Sequence, residues 1–306
     1  MENIHFNIAA VERDTGLSKD VLRVWERRYG FPTPLRDANG ERCYPLEQVE
    51  RLRMIKRLID QGHRPGKLIG ASVEELSARA TRPSQSRVAS DPTPVMEELA
   101  ELIAMITRHD ASGYLQAMQQ QLARRGLLQF VQDIVAPLSN LVGDEWERGA
   151  LQVFEEHLFT ELTTRLLRQA IASFSSGQPG QLRPCILLTS VPGEQHALGL
   201  LMAETMLTLE GAKCIPLGTG TPLLDIVHAA TAHRADIVGL SFSSAFPQQQ
   251  ISDVLKQLRK LLPSEVGLWT GGGGVQKLSA IEGVQLLPLL NNLKNALMSW
   301  REERTN

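Results

Sequence analysis

Apolar residues follow three rhythms along this chain. From residue 7 to 62 they recur at helical spacing in short runs broken by turn residues. Asn7-Ile8-Ala9-Ala10-Val11 opens a first helix, Thr15-Gly16 turns, and Ser18 is placed to cap a second helix over 19–29. Pro45 suits the first turn of a third helix, 46–61, closed by Gly62. Between them residues 35–44 alternate around Asn39-Gly40, a two-residue hairpin signal. From residue 95 to about 176 the period is helical throughout and predicts helices over 96–107, 111–123, 127–147 and 154–174, a four-helix bundle with short turns. Beyond 185 short apolar runs (185–191, 214–217, 237–241, 266–270 and 284–287) alternate with helical stretches, the first over 196–209. That alternation predicts a doubly wound parallel sheet with helices on both faces, whose ligands bind beyond the carboxyl ends of the strands.

The breaks between the rhythms divide the chain. Thr81-Arg82-Pro83-Ser84 to Pro94 and Ser176-Gly177-Gln178-Pro179-Gly180 have linker composition. The expected organisation is a head over 1–76, a linker over 77–94, a bundle over 95–178 and a sheet domain over 183–303. With 306 residues, 42% of them apolar and 22% charged, this is ordinary globular composition. No apolar run approaches the ~20 residues of a membrane helix, and the N-terminus lacks a signal-peptide pattern. Cys43, Cys185 and Cys214 are too widely spaced for a C-x-x-C site and read as reduced thiols in cytoplasm. The net charge of −2 is uneven: residues 1–70 hold 13 Lys/Arg against 10 Asp/Glu, while the remainder is acidic. A basic head on an acidic body fits a reader of nucleic acid.

Within the head, positions 17, 21, 22 and 25 are apolar, which turns Lys19, Arg23 and Arg27 toward a different face at one-turn spacing. Arginines at that spacing suit entry into a major groove, where Arg can make paired bonds to guanine; a solvated basic face is the bland alternative. Val21-Leu22-Arg23-Val24-Trp25-Glu26-Arg27-Arg28-Tyr29-Gly30, then Pro32-Thr33-Pro34, a hairpin, Arg42-Cys43-Tyr44 and another helix, resembles the winged helix-turn-helix of MerR-type regulators. The resemblance implies that Arg23 and Arg27 or Arg28 face the groove of double-stranded operator DNA, and that Arg36, Arg42 and Tyr44 in the wing meet phosphates. Trp25 and Tyr29 read as core packing. The clustered cysteines of metal-sensing members are missing, so the signal must enter elsewhere.

Glu194-Gln195-His196-Ala197-Leu198-Gly199 follows the apolar run 186–191. An imidazole leaving a buried strand, with a carboxylate two residues upstream, can bind a metal through one ring nitrogen while the carboxylate holds the other; a plain surface histidine is the alternative. Ser241-Phe242-Ser243 and Gly271 to Gly274 end the third and fourth strands. Together these motifs resemble the flavodoxin-like cobalamin-binding domain shared by methionine synthase, the corrinoid mutases and the CarH-type regulators. The resemblance implies that His196 is the lower axial ligand of cobalt, that Glu194 orients it, and that Gly199, Ser241, Ser243, Gly271 and Gly272 line the slot for the nucleotide tail. Glu replaces the commoner Asp at 194, and Ser243 replaces Leu.

Trp146, followed after nine residues by Glu156-His157, resembles the cap of the CarH/LitR adenosylcobalamin photoreceptors. It implies an indole over the adenosyl group, with Glu156 on the ribose hydroxyls and His157 beside it. Glu147 stands where some light sensors carry a histidine that captures cobalt after photolysis. The leading expectation is a non-enzymatic, cobalamin-dependent and light-responsive repressor, a homo-oligomer (dimer or tetramer) on DNA in the dark. A MerR-type regulator whose cobalamin-like domain binds no cobalamin is the alternative. A corrinoid carrier enzyme is a third reading, disfavoured by the DNA-binding head and by the lack of a catalytic constellation.

Overall fold

The computed structural model describes residues 5–60, 63–80, 94–175 and 182–304, which form two compact units. The linker compositions at 81–93 and 176–180, together with Gly62, lie outside the described residues. The first unit comprises the N-terminal head and residues 144–151; the second comprises the rest.

The head runs β1 (His5–Asn7), α1 (Ile8–Thr15), α2 (Lys19–Tyr29), β2 (Leu35–Arg36), β3 (Arg42–Pro45), α3 (Leu46–Asp60), α4 (Pro65–Leu68) and α5 (Val73–Ala80). Its caps are those the sequence offers. The Asn7 side chain accepts from the Ala10 N–H, Ser18 accepts from the Val21 N–H, and Gly16 and Gly30 end α1 and α2 in the left-handed region, at φ 70° and 68°. Three short antiparallel strands, in the order β1-β3-β2, close over a core that includes Val11, Leu22, Trp25, Tyr44, Leu52 and Ile55. The wing is not the two-residue hairpin expected at Asn39-Gly40. Arg36 pairs with Arg42, leaving a five-residue loop organised by Asp37, whose Oδ1 accepts from the N–H groups of Asn39 (2.9 Å) and Glu41 (2.8 Å).

The second unit begins with α6 (Pro94–Thr107), α7 (Ala111–Gln129), a π-helical turn (Phe130–Val135), α8 (Ala136–Glu147, whose last four residues belong to the first unit) and α9 (Val153–Ser175). The break expected near residue 123 is a kink at Gly126 (φ 73°, ψ 163°), after which the rod continues through the π-turn into α8. Buried Tyr114 and Thr163 share a hydroxyl–hydroxyl bond of 2.8 Å that ties α7 to α9. The α/β portion follows as β4 (Leu182–Thr189), α10 (Leu198–Leu209), β5 (Ala212–Gly218), α11 (Leu223–Ala232), β6 (Ile237–Ser241), α12 (Gln248–Leu261), β7 (Gly267–Gly271), β8 (Gln285–Leu287) and α13 (Asn292–Glu303). All five strands are parallel, in the order β5-β4-β6-β7-β8, the flavodoxin-like order expected. The helix expected between the last two strands is a single 3₁₀ turn, Gly273–Val275, because three consecutive glycines open that segment.

Strand alternation separates the two faces of the sheet. Leu187, Val238, Leu240 and Leu268 pack against α11 and α12 around Ile226, Leu255 and Leu258. Ile186, Leu188, Gly239, Ser241 and Trp269 turn toward α10. Helix α10 also packs on α7, α9 and α13, which sets the bundle over that face of the sheet.

Candidate functional site

The loop that leaves β4 carries the site. Gly193 (φ 90°) turns the chain, and the expected helix 196–209 begins instead at Leu198, so His196 stays on the loop. Glu194 is 1% exposed and sends Oε1 to His196 Nδ1 at 2.7 Å; the same oxygen accepts the His196 backbone N–H at 2.9 Å. Its second oxygen, Oε2, accepts both the backbone N–H and the hydroxyl of Ser243, at 2.7 and 2.8 Å. Ser190 Oγ donates to the Glu194 carbonyl at 2.7 Å and fixes the backbone. Burial pushes the Glu194 carboxyl up, but the hydrogen bonds from His196 and Ser243 outweigh it and hold the group below the usual carboxylate range. The hydrogen bond to Glu194 holds the His196 imidazole above its ordinary value against a smaller effect of burial, and the charge of Glu156 adds in the same direction.

This geometry leaves one edge of the imidazole open to a ligand. Nδ1 is held by a buried carboxylate, and the ring, 60% exposed, presents its Nε2 edge outward. Among the described residues no group of three His, Cys, Asp or Glu side chains is arranged to hold a metal ion. A metal that arrives with its other ligands already in place would need only one donor from the protein, and the exposed imidazole of His196 could supply it. Beside it, between the sheet and α10, lies a cavity of about 100 Å³ lined by Ile186, Leu188, Met202 and Trp269 among others. Glycines shape its mouth. A Cβ at Gly199 would stand 2.6 Å from Ser241 Oγ; one at Gly272 (φ 93°) would stand 2.3 Å from the Phe242 carbonyl oxygen, and one at Gly271 2.8 Å from that of Leu287. An exposed imidazole edge and an apolar, glycine-rimmed slot are the features that a flat, mostly apolar group with a narrow tail would need.

The expected site residues do not all play equivalent parts. Glu194, His196, Ser241, Ser243, Gly199, Gly271 and Gly272 converge at the strand ends. Ser243, expected among the cofactor-binding residues, clamps Glu194 with its backbone N–H and hydroxyl. That role was hidden in the sequence because its partner lies 49 residues away. In α9 Glu156 accepts from Thr160 Oγ1 at 2.8 Å, and His157 is 71% exposed, 3.7 Å from the Glu156 carboxylate. Trp146, in the last turn of α8, belongs to the first unit; the guanidinium of Arg57 lies over its ring at 5.2 Å. No sequence signal marked Arg57.

In the head α2 buries Leu22 and Trp25 and exposes Arg23, Arg27 and Arg28. Lys19 pairs with Glu12 at 3.6 Å, Arg23 with Asp20 at 3.4 Å, and Arg36 donates to the Gly40 carbonyl. Arg42 reaches from the wing to Glu26 on α2, Nε to Oε2 at 2.7 Å; this hydrogen bond raises its already high pKa. Two expectations are corrected. Tyr44 does not face outward as a phosphate contact would require: it is 0% exposed in the head core, and among the described residues its buried hydroxyl has no partner. Tyr29 is not core: it is 38% exposed and stacks under Arg28 at 5.3 Å.

Comparison with known proteins follows the same division. A family described as the MerR HTH family regulatory protein matches residues 6–69, and one described as the B12 binding domain matches residues 97–171. The chain is 32% identical over 279 residues to the HTH-type transcriptional repressor CarH of Myxococcus xanthus, covering 90% of each chain. It is 30% identical over 302 residues to the repressor CarA of the same organism, covering 94% of this chain and 97% of that one. The monomethylamine corrinoid protein of Methanosarcina barkeri shares the fold, with a TM-score of 0.52 and 16% identity, over 67% of this chain and 98% of that one. None of the described helices is long and apolar enough to cross a membrane. With a MerR head at one end and an imidazole held at the strand ends of a parallel, flavodoxin-like sheet at the other, the chain belongs to the family of HTH-type transcriptional repressors that includes CarH and CarA.

Proposed function

We propose that this protein is a cytoplasmic, non-enzymatic repressor that binds adenosylcobalamin, holds operator DNA as a dimer or tetramer in the dark, and releases it in light. The observation that carries this reading is the Glu194–His196 pair, clamped by Ser243 beside a glycine-rimmed cavity. The division of labour is the expected head over 1–76, which α5 extends to Ala80, a linker ending where α6 begins at Pro94, a bundle over 95–178 whose residues 144–151 pack with the head, and a sheet domain over 183–303.

His196 would hold the cobalt as its protein ligand, with Glu194 fixing the ring and its tautomer. Gly199, Ser241, Gly271 and Gly272 admit the nucleotide tail. Trp146 covers the upper face and excludes water, and Glu156, with His157 beside it, takes the sugar hydroxyls. The cofactor supplies a cobalt–carbon bond that visible light breaks. A cap that fits the adenosyl group and not a bare upper face gives the two forms different affinities for the assembled protein, which a ligand-driven switch requires. Lys19, Arg23, Arg27 and Arg28 on α2, with Arg36 and Arg42 in the wing, form the DNA face. A symmetric oligomer lets two or more heads engage operator half-sites together.

The test is to purify the protein with adenosylcobalamin and follow its colour and oligomeric state, in darkness and after green light, by size-exclusion chromatography. A bound chromophore, a dark oligomer and dissociation in light are expected. Colourless protein after desalting would favour a regulator whose B12-type domain serves only oligomerisation or senses another ligand. Trp146→Ala should keep the corrin and lose the preference for adenosylcobalamin over hydroxocobalamin.

A further inference from the structure

The contact between Arg57 and Trp146 lies within one compact unit. Arg57 occupies the last turn of α3, and its guanidinium carbon is 5.2 Å from the centre of the indole. The loop after α8 is fitted to the same group. Gly149 holds φ 78°, and a Cβ there would come within 2.9 Å of Arg57 Nη1. Residues 144–151 therefore enclose this guanidinium with an aromatic face and a bare stretch of backbone.

The enclosure is an unusual setting for an arginine. The side chain is half-buried, and among the described residues it is paired with no carboxylate. Burial lowers its pKa, so the charge is partly stripped of water. A cation over a ring face is attracted to it, but the loss of hydration opposes that attraction. Such a contact is net favourable but weak enough to be exchanged for another of similar strength.

We propose that Arg57 and the upper face of the corrinoid compete for Trp146, and that this competition links cofactor binding to the DNA-binding head. The proposal rests on the reading of Trp146 as the cap given above. With the indole on Arg57, residues 144–151 are held against α3, whose Leu52, Ile55 and Leu58 anchor the head core and whose first turn continues directly from wing strand β3. With the indole over the cofactor, that segment leaves α3 and the head is free to settle on DNA. Arg57 is thus a positioning residue that restrains the head until the effector is present.

The test measures adenosylcobalamin and hydroxocobalamin affinity for the full-length protein and for Arg57→Ala, Arg57→Met, Trp146→Ala and the Arg57→Ala/Trp146→Ala pair. Hydrogen exchange at amides 144–151 is followed without corrinoid. Arg57→Met keeps the apolar stem in place should Arg57→Ala fold poorly. Removing the competitor should tighten adenosylcobalamin binding roughly 3- to 30-fold, the range of a cation–π contact, and should speed exchange at 144–151. The Arg57 effect should vanish when Trp146 is already alanine. If both Arg57 variants bind adenosylcobalamin no tighter than the parent while Trp146→Ala loses discrimination between the two cobalamins, the competition is wrong and the cap stands. If Trp146→Ala keeps full discrimination, the cap reading fails and the competition falls with it.

Discussion

Ser243 gives both its backbone N–H and its hydroxyl to one oxygen of Glu194, at 2.7 and 2.8 Å. The other oxygen is thereby aimed at the His196 ring. Truncating Ser243 to alanine removes one of two donors and loosens that aim. Changes to groups that orient a metal ligand cost ~10–100-fold in affinity. We expect Ser243→Ala near the low end for cobalamin binding, Glu194→Ala near the high end, and His196→Ala to abolish the His-on visible spectrum. A Ser243→Ala protein with parental affinity would assign the orientation to the backbone donor alone.

The same pair sets a pH dependence. Glu194 lies below and His196 above its ordinary value. Between those two values both groups are charged and the pair stabilises the fold. That contribution is lost as pH rises through the raised His196 value, and again as pH falls through the depressed Glu194 value. A metal and a proton compete for the same ring nitrogen, so His-on binding should weaken on acidification, with a midpoint higher than the same ring would show without Glu194. Glu194→Gln should move the midpoint downward. Visible spectra recorded across a pH titration would show it, and an unmoved midpoint would mean that Glu194 does not govern the ring.

Arg42 is tied to Glu26 at 2.7 Å, joining the wing to the recognition helix. Arg42→Ala removes a positive charge and also leaves a carboxylate uncompensated on the DNA face. The loss should therefore fall on all sequences alike and lower the salt dependence by about one unit. Adding Glu26→Gln should recover part of it. Arg23→Ala should instead relax preference at one operator position, at a cost of ~1–3 kcal/mol. Salt titrations on operator and random DNA separate the two; equal losses on both DNAs for Arg23→Ala would remove it from base reading.

Among the described residues the buried hydroxyl of Tyr44 has no partner. An unpaired buried polar group costs ~1–3 kcal/mol, so Tyr44→Phe should leave the protein as stable or raise its stability by about 1 kcal/mol. DNA affinity should not change. Weaker DNA binding with unchanged melting would return Tyr44 to the interface.

Two glycines at the cavity mouth should fail differently. Gly272→Ala meets a backbone oxygen at 2.3 Å in a conformation reserved for glycine, so it should lose at least ~1–3 kcal/mol of stability. Gly199→Ala meets only the Ser241 hydroxyl, which can rotate. The fold should persist while tail binding weakens. Thermal melting and cobalamin titration of both variants distinguish these outcomes.

Much of this was legible because local chemistry agreed with the fold. Ser18 and Gly30 bracket α2 with a cap at each end, and the apolar run of β6 sits at the sheet's centre, buried on both faces. The Glu194–His196 relation was legible because it is local. What escaped the sequence depends on distant partners or on single-residue events. β1 exists only because β3 is there to pair with it. Tyr44 follows two wing arginines in an alternating run, yet the strand turns it inward. The Asp37 loop won over Asn39-Gly40 because one carboxylate could satisfy two backbone donors.

The π-turn at Phe130–Val135 carries a consequence for the cap. The Ala136 N–H reaches back to the Val131 carbonyl, five residues instead of four, so one residue more than an α-helix needs is taken into the turn. Each residue advances a helix by about 100°. That surplus residue is a phase setting for everything downstream on α8, Trp146 included. A homologue that lost it would keep the apolar pattern of its bundle and a recognisable Trp-to-Glu-His spacing, yet would present the indole about a quarter-turn away. Spacing between motifs is therefore a safe guide to this cap only when the length of the rod before it is counted as well.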